Sequence, residues 1–128
     1  YIHERYSSND PLIVLGDLNV APRPEDVYSL AAFEGVPTYH PKEHEEWEKL
    51  MSFGLHDAVW PHIEPGTYTF WDYRAAAFRF NNGLRIDHIL VTPSVMERVT
   101  GAYVDRVARK KQNDLKASDH APVGVVIE

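Results

Sequence analysis

Gly83-Leu84-Arg85-Ile86-Asp87-His88-Ile89-Leu90-Val91-Thr92 places a carboxylate in the middle of an apolar run. From Arg85 to Thr92 the pattern is that of a β-strand, apolar at Ile86, Ile89, Leu90 and Val91. Asn81-Asn82-Gly83 closes the loop before it. A carboxylate inside such a strand is tolerated only if it is paired or hydrogen-bonded. Asp87 therefore either makes a structural salt bridge, with Arg85 the local candidate, or orients a histidine and stabilises its charged form.

Two distant segments carry matching chemistry. Pro11-Leu12-Ile13-Val14-Leu15-Gly16 reads as a buried strand ending at a glycine, and Asp17 to Pro22 as the loop after it. Asp17 and Asn19 flank Leu18, so an acid can take a proton from water while an amide donates to a phosphate oxygen. The plain alternative is a polar turn. Ser118-Asp119-His120 precedes Ala121 and a closing strand from Pro122 to Ile127. There an acid can bind metal while the adjacent histidine donates to a phosphate, or the pair is a surface turn. Together these segments hold the groups needed to hydrolyse a phosphodiester with a divalent metal. The other histidines, His3, His40, His44, His56, His62 and His88, lack such company and read as structural or exposed.

The remaining chain predicts a mixed α/β unit of about five strands and two or three helices. Pro24, followed by Glu25 and Asp26, opens a short helix to about Ala32. Pro41 to Phe53 is helical in pattern, with Trp47, Leu50, Met51 and Phe53 near one face and Gly54 suited to the position after the helix. Thr67 to Trp71 and Val99 to Val107 read as further strands.

The chain has 128 residues, 44% hydrophobic and 25% charged, which bounds it to one domain with a modest core. No apolar run reaches the roughly 20 residues of a membrane helix, and no signal-peptide pattern opens the chain. There is no cysteine, which fits a reducing cytoplasm. The first residue is Tyr1, and residues 1–10 read as part of a longer polypeptide or a processed product. Residues 1–72 carry 4 Lys/Arg against 13 Asp/Glu, whereas residues 73–111 carry 8 against 3, so a basic stripe crosses an acidic chain. Arg98 to Lys111 suits a solvated face. Arg74 to Arg85, with aromatics and glycine beside it, suits a phosphate-contacting loop. Phe70, Trp71 and Tyr73 beside Arg74 can receive an unstacked nucleotide or a bare sugar, and if they alternate, one of Phe70 and Trp71 packs inward.

In this order, Gly-Asp-Leu-Asn, Thr-Phe-Trp-Asp-Tyr-Arg, Asn-Asn-Gly-Leu-Arg-Ile-Asp-His-Ile-Leu and Ser-Asp-His-Ala-Pro-Val resemble the exonuclease–endonuclease–phosphatase superfamily. The resemblance is closer to its exodeoxyribonuclease III, or abasic-site endonuclease, branch. Many relatives have a second tryptophan where Phe70 stands. The resemblance implies an α/β fold of α+β type, with residues 1–128 as the C-terminal half of a two-sheet, four-layer α/β sandwich. It implies Asp17 as the acid that activates water, Asn19 as a phosphate and metal contact, Asp119 as a metal ligand, and His120 on the phosphate, oriented by Asp87. Mg²⁺ or Mn²⁺ would be held by Asp17, Asn19 and Asp119. Phe70, Trp71, Arg74, Asn81, Gly83 and Arg85 would contact substrate.

The implied substrate is double-stranded DNA with abasic sites or 3′ ends, with no membrane partner. The implied N-terminal half would bring an asparagine, a metal-binding glutamate and a tyrosine absent here. Residues 1–128 alone are then expected to be inactive. Leu12, Val14, Ile86, Leu90, Val123 or Val125 are expected to meet water and favour self-association. Two other readings stay open. One is a superfamily phosphatase or phosphodiesterase with a non-DNA substrate. The other is a non-catalytic half-domain that binds nucleic acid or itself.

Overall fold

The computed structural model describes residues 2–109 and 118–128. In chain order the elements are α1 (Ile2–Arg5), β1 (Ile13–Asp17), α2 (Leu30–Phe33), α3 (Pro41–Phe53), β2 (His56–Asp57), β3 (Asp87–Val91), α4 (Pro93–Met96), β4 (Val99–Val104) and β5 (Val123–Ile127). β3 is the middle strand of an antiparallel sheet ordered β1-β3-β2, and β4 pairs with β5 in a second antiparallel sheet. The fold is therefore mixed helix and strand.

β3 is apolar on both faces because both are covered. On one side Leu90 packs with Trp47 and Leu50 of α3, beside Val20 and Leu55. On the other, Ile89 and Val91 pack with Val95, and Ala102 of β4 and Val123 and Val125 of β5 close over them. α3 forms where its pattern predicts it. His40 caps it by accepting from the Lys42 N–H, Glu43 accepts from the His40 N–H, and Gly54 ends it at φ 115°, a conformation costly for any side chain. Among the described residues, no helix is long and apolar enough to cross a membrane.

Several expectations change. The helix expected from Pro24 to Ala32 is a 3₁₀ turn (Pro24–Asp26) followed by the separate α2. Between them the backbone is committed elsewhere: Val27 bridges Leu84 and the Tyr28 N–H donates to the Gly83 carbonyl. Thr67 to Trp71 is a strand only in the sense that Phe70 bridges both Leu84 and His120. β4 stops at Val104, and Arg106–Arg109 forms a 3₁₀ turn. Lys110 and Lys111 of the basic stripe lie outside the described residues.

β1 is not a fully buried strand: Ile13 is 47% and Leu15 66% exposed. Ile13 and Leu15 thus leave an apolar face of β1 to water. Ile86 and Leu90 are buried, while Val14, Val123 and Val125 are packed against the core clusters. The reason is register and place in the sheet. Ile13 and Leu15 share the face of Val91 and Ile89, but the second sheet closes over β3 and leaves the edge strand β1 uncovered there, while α3 covers the other face, which takes Val14 and Leu90.

Candidate active site

Asp17 ends β1 and Asp87 opens β3, and the antiparallel register sets them directly opposite each other. Two carboxylates facing across a strand pair repel, so the arrangement needs a partner between them. His120 takes that place. Its Nδ1 lies 2.8 Å from Asp87 Oδ2, and its Nε2 lies 3.7 Å from Asp17 Oδ2 and 3.8 Å from Asp119 Oδ1. A ring nitrogen bonded to a carboxylate carries its proton there, which leaves Nε2 as the outward working atom.

The backbone around Thr69 to Trp71 puts His120 in position. The Trp71 N–H donates to the Asp119 carbonyl, the Ala121 N–H donates to the Thr69 carbonyl, and the Phe70 ring stands 5.1 Å from the imidazole. Thr69 is fully buried, and its hydroxyl oxygen accepts from the Ile86 and Asp87 N–H groups. One residue thus holds both Asp87 and the segment bearing His120. Nothing in the sequence marks Thr69 beyond its place beside the aromatic pair. Asn19 sits at φ 53°, tolerated by asparagine, and its N–H donates to Asp17 Oδ1 at 2.9 Å. This turn fixes the carboxylate and carries Asn19 alongside it.

Asp17, Asp87 and His120 offer ligand atoms within 4.8 Å of one another. Side-chain exposure is 37% for Asp17, 37% for Asp119 and 30% for His120, so the cluster is open to a ligand. Asp87, at 18%, is engaged by the imidazole. The carboxylates of Asp17 and Asp119 stand on either side of Nε2 and are donors of the kind a hard divalent cation takes.

Arg85 is elsewhere. It is 0% exposed, with Nε 2.7 Å from Asp26 Oδ1 and Nη2 2.7 Å from Asp57 Oδ2. It pairs with neither Asp87 nor any group at the open cluster, and a fully buried guanidinium meets no phosphate; its assignment to substrate is corrected. Burial works against the Asp57 charge, but the Arg85 charge and hydrogen bonds outweigh it and hold that carboxyl below its usual range. His88, also buried, donates from Nε2 to the Val20 carbonyl at 2.7 Å, tying β3 to the loop that carries Asn19. Burial, then the nearby Arg85 charge, pushes its pKa down to about 4.

Trp71 and Gly83 are corrected in the same way. Trp71 is 0% exposed, and its Nε1 donates to Asn81 Oδ1 at 3.1 Å. Of the aromatic pair it is Trp71 that packs inward and Phe70 that faces the site edge. Gly83 lies under that indole: a Cβ there would come within 2.6 Å of Trp71 Nε1 and of Tyr68 Cβ. Close packing explains this glycine. Asn81 acts through the indole it holds. Arg74 is exposed and forks onto Asp72, with Nη2–Oδ2 at 2.9 Å. These hydrogen bonds hold the Asp72 carboxyl down at about 2.

Comparison with known proteins gives the family. The model of the Endonuclease/Exonuclease/phosphatase family matches residues 1–120, and the chain belongs to that family. It is 29% identical to exodeoxyribonuclease III of Haemophilus influenzae over 96% of this chain and 48% of that protein. It is 33% identical to an exodeoxyribonuclease of Bacillus subtilis over 91% of this chain and 44% of that protein. Among solved structures, an AP endonuclease from Archaeoglobus fulgidus superposes with a TM-score of 0.89 at 31% identity, covering 100% of this chain and 49% of that one. The 3′ phosphatase NExo from Neisseria, bound to a product DNA hairpin, gives 0.88 at 32% identity, covering 98% and 47%. The chain therefore spans about half the length of the relatives it matches.

Proposed function

We propose that this chain supplies part of the catalytic centre of a DNA-repair nuclease that hydrolyses phosphodiesters at abasic sites and at 3′ ends of duplex DNA. The observation that supports it is the open cluster in which one imidazole stands among Asp87, Asp17 and Asp119. The names of the relatives, exodeoxyribonucleases and AP endonucleases, give the substrate class.

In this reading Asp87 accepts from Nδ1–H and holds the imidazole with a proton on each nitrogen, so that Nε2–H faces the scissile phosphate and donates to one of its oxygens. Asp17, steadied by the Asn19 N–H, takes a proton from the attacking water. The water oxygen bonds to phosphorus, and the bond from phosphorus to the leaving sugar oxygen breaks, the departing oxygen taking its proton from solvent. Asn19 donates its amide to a second phosphate oxygen. Asp17, Asn19 and Asp119 would hold Mg²⁺ or Mn²⁺, which when bound supplies Lewis-acid polarisation of the phosphoryl group. Arg74, on an exposed loop, contacts the backbone of the DNA. Residues 1–128 alone would not suffice for turnover, since the relatives are about twice as long and the ligand set here is sparse.

The test is incision of a duplex with a single abasic analogue by the full-length protein, with Mg²⁺ and with a chelator. Cleavage that the chelator removes and Mg²⁺ restores is expected. Cleavage indifferent to the chelator, or none at all, would overturn this reading.

A further inference from the structure

Arg109 falls in the stretch that reads in sequence as a solvated face, yet it is 8% exposed. It ends the 3₁₀ turn after β4 and reaches across 38 residues, where its Nη2 donates to the Trp71 carbonyl at 3.1 Å. Its guanidinium carbon lies 4.9 Å from the Phe78 ring centroid and 5.0 Å from that of Tyr73. Phe78 in turn meets the Trp71 indole edge to face, with centroids 5.1 Å apart. Arg109 thus holds Trp71 twice, at its carbonyl and through Phe78. Trp71 touches both neighbours of His120. Its N–H donates to the Asp119 carbonyl at 3.0 Å, and its side chain shares a buried cluster with Ala121. Phe70, the residue before it, stands against the imidazole. A shift of Trp71 therefore moves Asp119, His120 and Phe70 together. Arg106 supplies a contrast. It stacks on the same Phe78 ring at 4.1 Å, but it is exposed and donates to the Phe78 carbonyl rather than to Trp71.

We propose that Arg109 is a positioning residue of the open cluster: its grip on Trp71 sets where Asp119 and His120 stand. Buried as it is, it meets no phosphate and acts only through Trp71. The shape of the guanidinium matters. A planar fork can lie flat on two rings and donate in its own plane to a carbonyl, whereas an ammonium is a point charge that cannot do both. The inference rests on the nuclease reading for the reaction that Arg109 serves, but the grip itself stands on the contacts alone.

Two measurements on the full-length protein, unsubstituted and as Arg109→Lys, test this. The first is amide hydrogen exchange at Trp71, whose N–H bonds the Asp119 carbonyl, with Leu90 inside β3 as the reference. Trp71 should exchange roughly tenfold faster in the variant while Leu90 is unchanged. Faster exchange at both together would show a merely structural arginine and overturn the proposal. The second is cleavage of a duplex with an abasic analogue. Here kcat should fall roughly 10- to 100-fold, with KM within about threefold. Arg109→Gln should show the same two changes and serves if Arg109→Lys does not fold. Arg106→Lys should leave Trp71 exchange and kcat within about threefold of the unsubstituted protein. An equal loss from Arg106→Lys would place the effect on the Phe78 ring and overturn the grip on Trp71. So would a rise in KM at constant kcat, or selective loosening of Trp71 with kcat unchanged. No cleavage even by the unsubstituted protein, with Trp71 alone loosened in Arg109→Lys, would support the grip and overturn the nuclease reading.

Discussion

Arg85 and Asp87 are two residues apart, yet they anchor two clusters of charge with opposite characters. Around Arg85, two carboxylates and a neutral histidine close on one guanidinium, and the acid side chains are 3% exposed. Around Asp87, one imidazole stands among three carboxylates, two of them 37% exposed. The first cluster is paired within itself and sealed, so its charges hold the fold together. The second has more acid than base and faces solvent, so a cation and a phosphate can complete it. Titratable residues next to each other in sequence thus divide between structure and chemistry according to burial and pairing.

The comparison can be broken most violently at Arg85. Arg85→Met would leave Asp26 buried without its cation and Asp57 with only its 3.5 Å pair to Arg23, and about 3–5 kcal/mol of stability should be lost, read by denaturant unfolding. Replacing all three with apolar residues of similar volume should recover much of it. If Arg85→Met alone unfolds no more easily than the parent, the sealed cluster is not structural.

A second test titrates that cluster. His88 is held neutral in the folded chain, with a pKa of about 4 against an ordinary 6.5. The unfolded chain binds that proton first as pH falls. Its contribution is complete above about pH 6.5 and is lost progressively down to about pH 4, a span worth about 3 kcal/mol. Asp57, held low by Arg85, adds its own loss at still lower pH. Stability measured against pH should therefore slope between 6.5 and 4, and His88→Gln should flatten that slope. An unchanged slope would show that another group is responsible.

The smallest effect belongs to the surface. Arg74→Ala removes an exposed pair with Asp72, and stability should change by less than about 0.5 kcal/mol. DNA binding should weaken about equally across sequences, and the salt dependence should flatten by about one phosphate contact. A change in sequence preference at constant salt slope would place Arg74 on a base edge instead.

What the sequence disclosed follows from how local each signal is. α3 was legible because its apolar face, its Pro41 start and its Gly54 stop lie within one stretch. The open cluster was legible because Asp17, Asn19, Asp87, Asp119 and His120 sit in short motifs at strand edges. The sealed cluster was not. Arg85 meets Asp26 and Asp57 across 59 and 28 residues, and nothing near Arg85 announces either acid. Trp71 and Gly83 read as substrate contacts because an aromatic beside Arg74 and a glycine in a loop look alike whether they pack or bind. Tyr28 belongs to the stretch to Ala32 expected to be one helix; long-range bonds from Val27 and Tyr28 to Leu84 and Gly83 broke it before α2.

Single-turnover cleavage of an abasic duplex by the full-length protein, unsubstituted and as His120→Asn, tests the open cluster most directly when DNA affinity is measured alongside. Removal of the group between the carboxylates should slow the chemical step by roughly 10²–10⁴-fold. DNA affinity should stay within about threefold, and the unfolding midpoint should fall far less than for Arg85→Met, since the carboxylates His120 leaves behind are partly open to solvent. Turnover close to that of the unsubstituted protein, with Mg²⁺ present, would contradict the assignment of His120 and of the cluster around it.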